Sequence, residues 1–175
     1  MTADRPVLVG ERVTVRVGRS GDASLLYKIL SEPGVMRWWR EPDPPNLIAD
    51  DLRGASDEIL LVIEIAGEVA GGIQWHEETE EDYLHAGIDI FLGERWQGQG
   101  HGTEAVRLVA RFLFWERGHH RLTIDPAADN ARAIASYKKV GFRPVGIMRQ
   151  YERGADGAWH DGLLMDLLRD ELIDE

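Results

Sequence analysis

The sequence predicts a mixed α/β (α+β) fold built on one twisted sheet. Three observations predict it. Alternating or β-branched runs dominate the first ninety residues, where helices are short. A strand at 87–92, a glycine-spaced loop and a long apolar helix then follow one another directly. A second short strand at 122–125 comes after that helix, so a strand–helix–strand unit sits in the middle of the chain. No repeat, linker or low-complexity tract divides the 175 residues, so residues 1–175 are expected to form a single domain large enough for a real core.

Each element has a local reason. Residues 11–17, ERVTVRV, alternate charged and apolar side chains, the period of a half-buried strand. Ser20, Gly21 and Asp22 offer a turn and a cap, and Ala23 to Leu30 reads as a short helix. Pro33 and Gly34 are expected to break it. MRWWREPDPP at 36–45 holds two adjacent tryptophans and three prolines, and Asn46 to Arg53 is a second short helix. Ile59 to Ile65 is an apolar, β-branched run suited to a central strand. AGE at 66–68 turns the chain into the next strand, Val69 to His76. EETEED at 77–82 has five carboxylates in six positions and is expected to be a solvated loop. Strand 87–92 leads to the helix 102–117, whose polar positions Glu104, Arg107 and Arg111 form one stripe, so most of it should be buried. After strand 122–125, Asp129 or Asn130 caps a helix that Gly141 ends. Arg143–Arg149 and Trp159–Leu167 read as strands, joined by the turn ERGADGA at 152–158.

Composition narrows the function classes. There is no cysteine, hence no disulfide framework and no thiol nucleophile. No N-terminal apolar run and no apolar stretch near 18 residues is present, so the expectation is a cytoplasmic protein without a membrane partner. The six histidines show no H-x-x-x-H spacing, so no metal is expected, and His119-His120 reads as a solvated helix end. Gly154, Asp156 and Gly157 lack the rest of a calcium loop, and no G-x-S-x-G elbow exists. The formal net charge of −11 repels nucleic acid and attracts cations; it serves solubility alone or a cationic substrate.

Two stretches carry chemistry. AGIDIFLGERWQGQGHG at 86–102 sets Gln97, Gly100 and Gly102 in the order Q-x-x-G-x-G between a strand and a helix start. Glycines let a backbone approach an anion, and the positive end of a helix attracts it. A plain glycine-rich turn would look the same. Asp89 interrupts an apolar strand; it is either a buried, functional carboxylate or a residue on a solvated face. Asp125, before Pro126, either starts a turn or stands beside Asp89 at the same end of the sheet, where ligands of such sheets bind. In DNARAIASYKKVGF at 129–142, Ile134, Tyr137 and Gly141 share one helical face, so Tyr137 is a packing residue or a cleft phenol.

Q-x-x-G-x-G followed by N-x-R-A-x-x-x-Y-x-K-x-G-F resembles the GCN5-related N-acetyltransferase (GNAT) superfamily, over about residues 11–168. The resemblance implies a mixed sheet flanked by helices, with acetyl-CoA bound where a central strand pair splays. It implies that Gln97, Gly98, Gln99, Gly100, His101, Gly102 and Thr103 hold the pyrophosphate. Asn130 and Ala133 would contact the pantetheine arm, and Ile90, Phe91 and Leu92 would pair with its amides. Tyr137 would face the thioester sulfur as the acid. Within the superfamily, WW at 38–39, GID at 87–89 and D-P from Asp125 resemble the aminoglycoside 6'-N-acetyltransferases. That likeness implies Asp89 as base, Asp125 as aminoglycoside ligand, and Trp38 and Trp39 lining the substrate cleft. The implied partner is a cationic small-molecule amine, and the chain is expected to act as a monomer or homodimer. Rival expectations are another acceptor (a polyamine, a hydroxylated lysine of a siderophore, a protein N-terminus) or an idle acyl-CoA-binding module.

Overall fold

The computed structural model describes residues 6–174. β1 (Leu8–Val9) is a two-residue edge strand too short to leave a periodic signal. β2 (Val13–Arg16) follows, with Val13 and Val15 buried as its alternation demands. α1 (Asp22–Leu30) starts where Asp22 pairs with Arg16 at 2.7 Å and accepts the Arg19 N–H at 2.6 Å. Pro33 does not simply break the chain: it opens a second, one-turn helix, α2 (Pro33–Met36), because a proline lacks only an N–H that a first turn leaves unused. α3 (Pro45–Arg53) begins on a proline in the same way. β3 (Ile59–Ile65) and β4 (Glu68–Glu78) form a hairpin, and β5 (His85–Leu92) returns along β4. α4 (His101–Trp115), β6 (Arg121–Ile124), α5 (Ala131–Val140), β7 (Arg143–Arg153) and β8 (Trp159–Leu168) complete the chain.

The eight strands make one sheet in the order β1-β2-β3-β4-β5-β6-β8-β7. Every pairing is antiparallel except β5 with β6. Alternation along β3 sends Leu61, Ile63 and Ile65 to one face and Leu60 and Val62 to the other. The first face packs against α4, through residues such as Val106, Val109 and Leu113. The second packs against α1 and α3, through Leu26, Ile48 and Leu52. Covering both faces explains the apolar run Ile59–Ile63 of β3, which only Glu64 interrupts before Ile65. Each fully buried Leu or Ile here contributes about 1.5–3 kcal/mol. Among the described residues no helix is long and apolar enough to cross a membrane.

Two expectations about polar residues are corrected. Glu77 and Glu78 belong to β4 rather than to a solvated loop. His119 is not a solvated helix end; it is 2% exposed, whereas His120 is exposed. The two corrections have one cause. His119 Nε2 lies 2.6 Å from Glu77 Oε1, and Arg117 Nη2 donates to Glu77 Oε2 at 2.8 Å. Burial pushes the Glu77 carboxyl up, but these partners outweigh it and hold the pKa below the usual range. A pairing forty residues distant in sequence thus pins the end of α4 to β4.

Candidate active site

The parallel strands β5 and β6 are partners only at Ala86–Leu122 and Gly87–Thr123. Beyond that point they part, while β5 stays paired to β4 as far as Leu92. The stretch Ile88–Leu92 therefore has one edge in the sheet and one edge free. A cleft of about 950 Å³ opens there. The loop after β6 that forms its far wall is stapled to β8. Leu163 donates to the Pro126 carbonyl at 2.8 Å, and Ala128 donates to the Asp161 carbonyl at 2.9 Å.

One end of the cleft is backbone. Gly98 and Gly100 have φ of 73° and 87°, a region that side-chain-bearing residues rarely occupy. Gly100 is the residue before α4, and no side chain caps that helix start. Its first N–H groups therefore remain available to an anion. Gln97 shapes the loop by donating to the Leu92 carbonyl at 2.6 Å. Thr103 is tied to Ser136 of α5 by a hydroxyl–hydroxyl bond of 2.7 Å. Asn130 caps α5 by accepting the Ala133 N–H at 3.2 Å. Gln97, Gly98, Gly100, Gly102, Thr103, Asn130 and Ala133 all line the cleft, as do Ile90, Phe91 and Leu92. Gln99 and His101 do not. Gln99 donates to the Arg95 carbonyl, and His101 is buried edge-on against Trp96.

The other end carries the titratable groups. Asp89, Asp125 and Tyr137 line it together. Asp89 sits recessed in the floor, directly across from Gln74 on β4. Burial, then the charges of Asp125 and Glu58, push its pKa up to about 7. Tyr137 is buried, and burial followed by the charges of Asp89 and Asp125 pushes its phenol well above the ordinary range. The floor thus holds a carboxylate able to take a proton near neutrality beside a phenol that keeps its own. Trp38 and Trp39 line the mouth. They are held there because Glu32 and Glu94 cross-link α2 to the segment after β5: Glu94 N–H donates to Glu32 and Gly34 N–H to Glu94, both at 2.6 Å. Trp39 packs edge-on to Phe91 with ring centres 5.0 Å apart, and Arg37 lies over the Trp38 ring at 4.6 Å.

Five further lining residues carry no motif in the sequence: Glu58, Gln74, His76, Tyr151 and Glu152. Gln74 donates to Glu58 at 2.7 Å. His76 stands over Gly87, where any Cβ would fall 2.2 Å from its ring; this is the physical reason for the glycine ahead of Asp89. Tyr151 and Glu152 enter through a register shift in β7 between Met148 and Glu152, where Gln150 has φ of 50° and its N–H bonds Asp161. The Tyr151 phenol is pushed up to about 12, by its hydrogen bond with Asp125 before burial.

A mixed sheet that parts between two parallel strands, with a glycine loop and an uncapped helix start at one end of the parting and a recessed carboxyl at the other, fits an acetyltransferase. Residues 12–143 match the model of the acetyltransferase (GNAT) domain, and the chain belongs to that family. Aminoglycoside N(6')-acetyltransferase type 1 of Klebsiella pneumoniae is 28% identical over 157 residues, covering 79% of this chain and 77% of that protein. Spermidine N(1)-acetyltransferase of Escherichia coli is 26% identical over 161 residues, covering 88% and 84%. Mycobacterium smegmatis RimJ in complex with CoA-disulfide has the same fold, with a TM-score of 0.86 at 22% identity over 99% of this chain and 92% of that one. AAC(6')-Ib in complex with paromomycin and acetyl-CoA gives a TM-score of 0.74 at 25% identity over 92% and 96%.

Proposed function

We propose that this chain, acting as one domain, transfers the acetyl group of acetyl-CoA to a primary amine of a polycationic small molecule, foremost the 6'-amine of an aminoglycoside. Such a reaction in the cytoplasm would inactivate the antibiotic and confer resistance. The observation that carries the reading is the recessed Asp89, raised to about 7 and ringed by Asp125, Glu58 and Glu152. A cleft so charged draws a cation with several ammonium groups. The 28% identity to an aminoglycoside acetyltransferase supports the same reading.

The cleft suits the cosubstrate. The uncapped start of α4 and the glycine loop suit a pyrophosphate, and the free edge of Ile88–Leu92 suits the amides of a pantetheine arm. Acetyl-CoA supplies the activated thioester. The protein supplies the rest. Asp89 accepts the proton that the amine must lose in order to attack, directly or through water. Tyr137 donates a hydrogen bond or its proton to the developing thiolate. Asp125, Glu58 and Glu152 hold neighbouring ammonium groups, and Trp38 and Trp39 cover the sugar faces.

Spermidine acetylation is the second reading, favoured by the relative that is 26% identical over a larger share of this chain. An amine panel scored by free CoA release separates the two. Aminoglycosides bearing a 6'-amine are expected to exceed spermidine and an N-terminal peptide by at least about tenfold in kcat/KM. Turnover of spermidine alone would overturn the aminoglycoside reading and leave the acidic cleft in place. Tyr137→Phe tests the acid separately. It keeps the ring against Phe142 and removes the hydroxyl. We expect kcat to fall about 10²–10⁴-fold with an unchanged melting temperature. A kcat within twofold of wild type would make Tyr137 a packing residue.

A further inference from the structure

Tyr151 gains a role on the reading of the acidic end of the cleft as an amine site, and this inference rests on that reading. The side chain is half exposed and belongs to no motif, yet it lines the cleft together with Asp125. β7 and β8 lose register between Met148 and Glu152. Inside that stretch Gln150 holds a φ of 50°. Among the described residues Ala66 is the other side-chain-bearing residue with a positive φ, and it makes the tight turn between β3 and β4. Gln150 lies inside a strand and makes no turn. Such backbone positions concentrate at functional sites, and a shift of this kind re-aims the side chains beside it. Here those side chains are Tyr151 and Glu152.

One short piece of β8 sets both partners. Asp161 Oδ1 accepts the Gln150 N–H at 2.8 Å, which holds the shift. The Asp161 carbonyl accepts the Ala128 N–H at 2.9 Å, and Leu163 donates to the Pro126 carbonyl at 2.8 Å. Ala127 bridges Gly162 between them. The loop that begins at Asp125 is therefore fixed to residues 161–163, and so is the shift that carries Tyr151. Gly162 completes the fit: an added Cβ would fall 2.9 Å from Tyr151 Cδ1, so a side chain there would push the ring off β8. The phenol hydrogen-bonds Asp125, and that bond, ahead of burial, pushes its pKa up to about 12. Tyr151 is thus a neutral donor throughout the range near neutrality. Elsewhere an arginine does this work, as Arg16 does for Asp22 at 2.7 Å. An arginine cancels the charge that it orients. A phenol orients without cancelling, and a carboxylate has lone pairs enough for a second donor.

We propose that Tyr151 is a positioning residue: by donating to Asp125 it fixes the carboxylate so that its remaining lone pairs meet a substrate ammonium. The negative charge stays available to the amine, and Tyr151 acts only through Asp125. Its contribution therefore falls on amine binding and not on acetyl transfer.

Steady-state kinetics of the full chain with kanamycin and with spermidine, each at saturating acetyl-CoA, test this. Tyr151→Phe keeps the ring on Gly162 and removes the donor. A hydrogen bond to a charged group is worth about 10–100-fold, and water replaces part of it at a half-exposed site, so KM for the accepted amine should rise about 3–10-fold. kcat and the KM for acetyl-CoA should both stay within about twofold of wild type, as for a loss of binding alone. Asp125→Ala removes the acceptor, and in that background Tyr151→Phe should change the amine KM by less than about twofold. An unchanged amine KM in Tyr151→Phe overturns the role. So does a Tyr151→Phe effect that persists in full beside Asp125→Ala, because the wall of the cleft rather than the hydrogen bond would then be responsible. Either result leaves the amine reading standing where Asp125→Ala alone raises the amine KM. An Asp125→Ala enzyme with wild-type KM for both amines, or a wild type that acetylates neither, overturns the amine reading of this end of the cleft and the role of Tyr151 with it.

Discussion

Asp89→Asn is expected to lower kcat for amine acetylation about 10²–10⁴-fold near neutral pH, the range for loss of a general base. The pH dependence gives the assignment its sharpest form. In the free enzyme Asp89 titrates at about 7, because burial and then Asp125 and Glu58 disfavour its charge. The kcat/KM of wild type should therefore rise with pH up to about 7. A docked ammonium favours the carboxylate, so the corresponding limb of kcat should lie lower. Asp125→Asn removes a like charge, so it should move the kcat/KM limb to lower pH as well as raise KM for the amine. In Asp89→Asn the limb should vanish and the deficit should shrink at high pH, where free amine is abundant. Wild-type turnover by Asp89→Asn near neutrality would end the assignment.

The same substitution should stabilise the fold. The folded pKa of Asp89 lies above its ordinary value of 3.8, so the protonated form is the one the folded state prefers. The stability this brings is fully present below about pH 4 and is lost as pH rises through about 7, at a cost of about 4 kcal/mol. Asparagine is neutral throughout. At pH 8 the variant should melt several degrees above wild type, and near pH 4 the two should coincide. A residue that weakens the protein where the enzyme would work, and whose removal abolishes turnover, is retained for chemistry rather than for packing.

The sequence made the local parts of this cleft legible and hid the non-local ones. The glycine loop, Asn130 and Tyr137 lie within short motifs whose spacing fixes them on one loop and one helix face. Asp89 was legible because a carboxylate in an apolar strand is costly. Its neighbours Glu58 and Gln74 were not, since only the register of β4 against β3 and β5 brings them to the floor. Tyr151 and Glu152 were hidden by a shift in β7 that depends on Gln150 holding a positive φ, which no side-chain pattern announces. The acidic run at 77–82 misled for a related reason. Charge density argued for solvent, but Arg117 and His119, forty residues on, accept Glu77 into a partly buried ion pair. Sequence separation, more than residue type, divided what could be read from what could not.

Gly102→Asp should abolish acetyl-CoA binding while preserving the fold. Gly102 is a better position for this test than Gly100. At Gly100 an added Cβ would stand 3.1 Å from Arg12 Nη2 and inherit a φ of 87°, so a carboxylate there would pair with Arg12 and strain the backbone. At Gly102 the nearest atom to an added Cβ is Leu92 Cδ1 at 3.4 Å, an ordinary contact, and the backbone is helical. An acidic residue in the first turn of α4 interacts favourably with the helix dipole, worth about 0.3–1 kcal/mol. Replacing glycine inside a helix also removes a penalty of about 0.5–1 kcal/mol. Stability should thus hold or rise. Affinity should not, because the new charge stands where the loop N–H groups would meet a pyrophosphate. At about 4 Å and an effective dielectric constant near 20, that repulsion is about 4 kcal/mol per charge, well over 100-fold in Kd. Gly102→Ala separates bulk from charge and should weaken binding far less. Calorimetry with CoA on both variants, alongside thermal melts, decides the matter. A folded Gly102→Asp protein that binds CoA as wild type does would remove the start of α4 from the cofactor site.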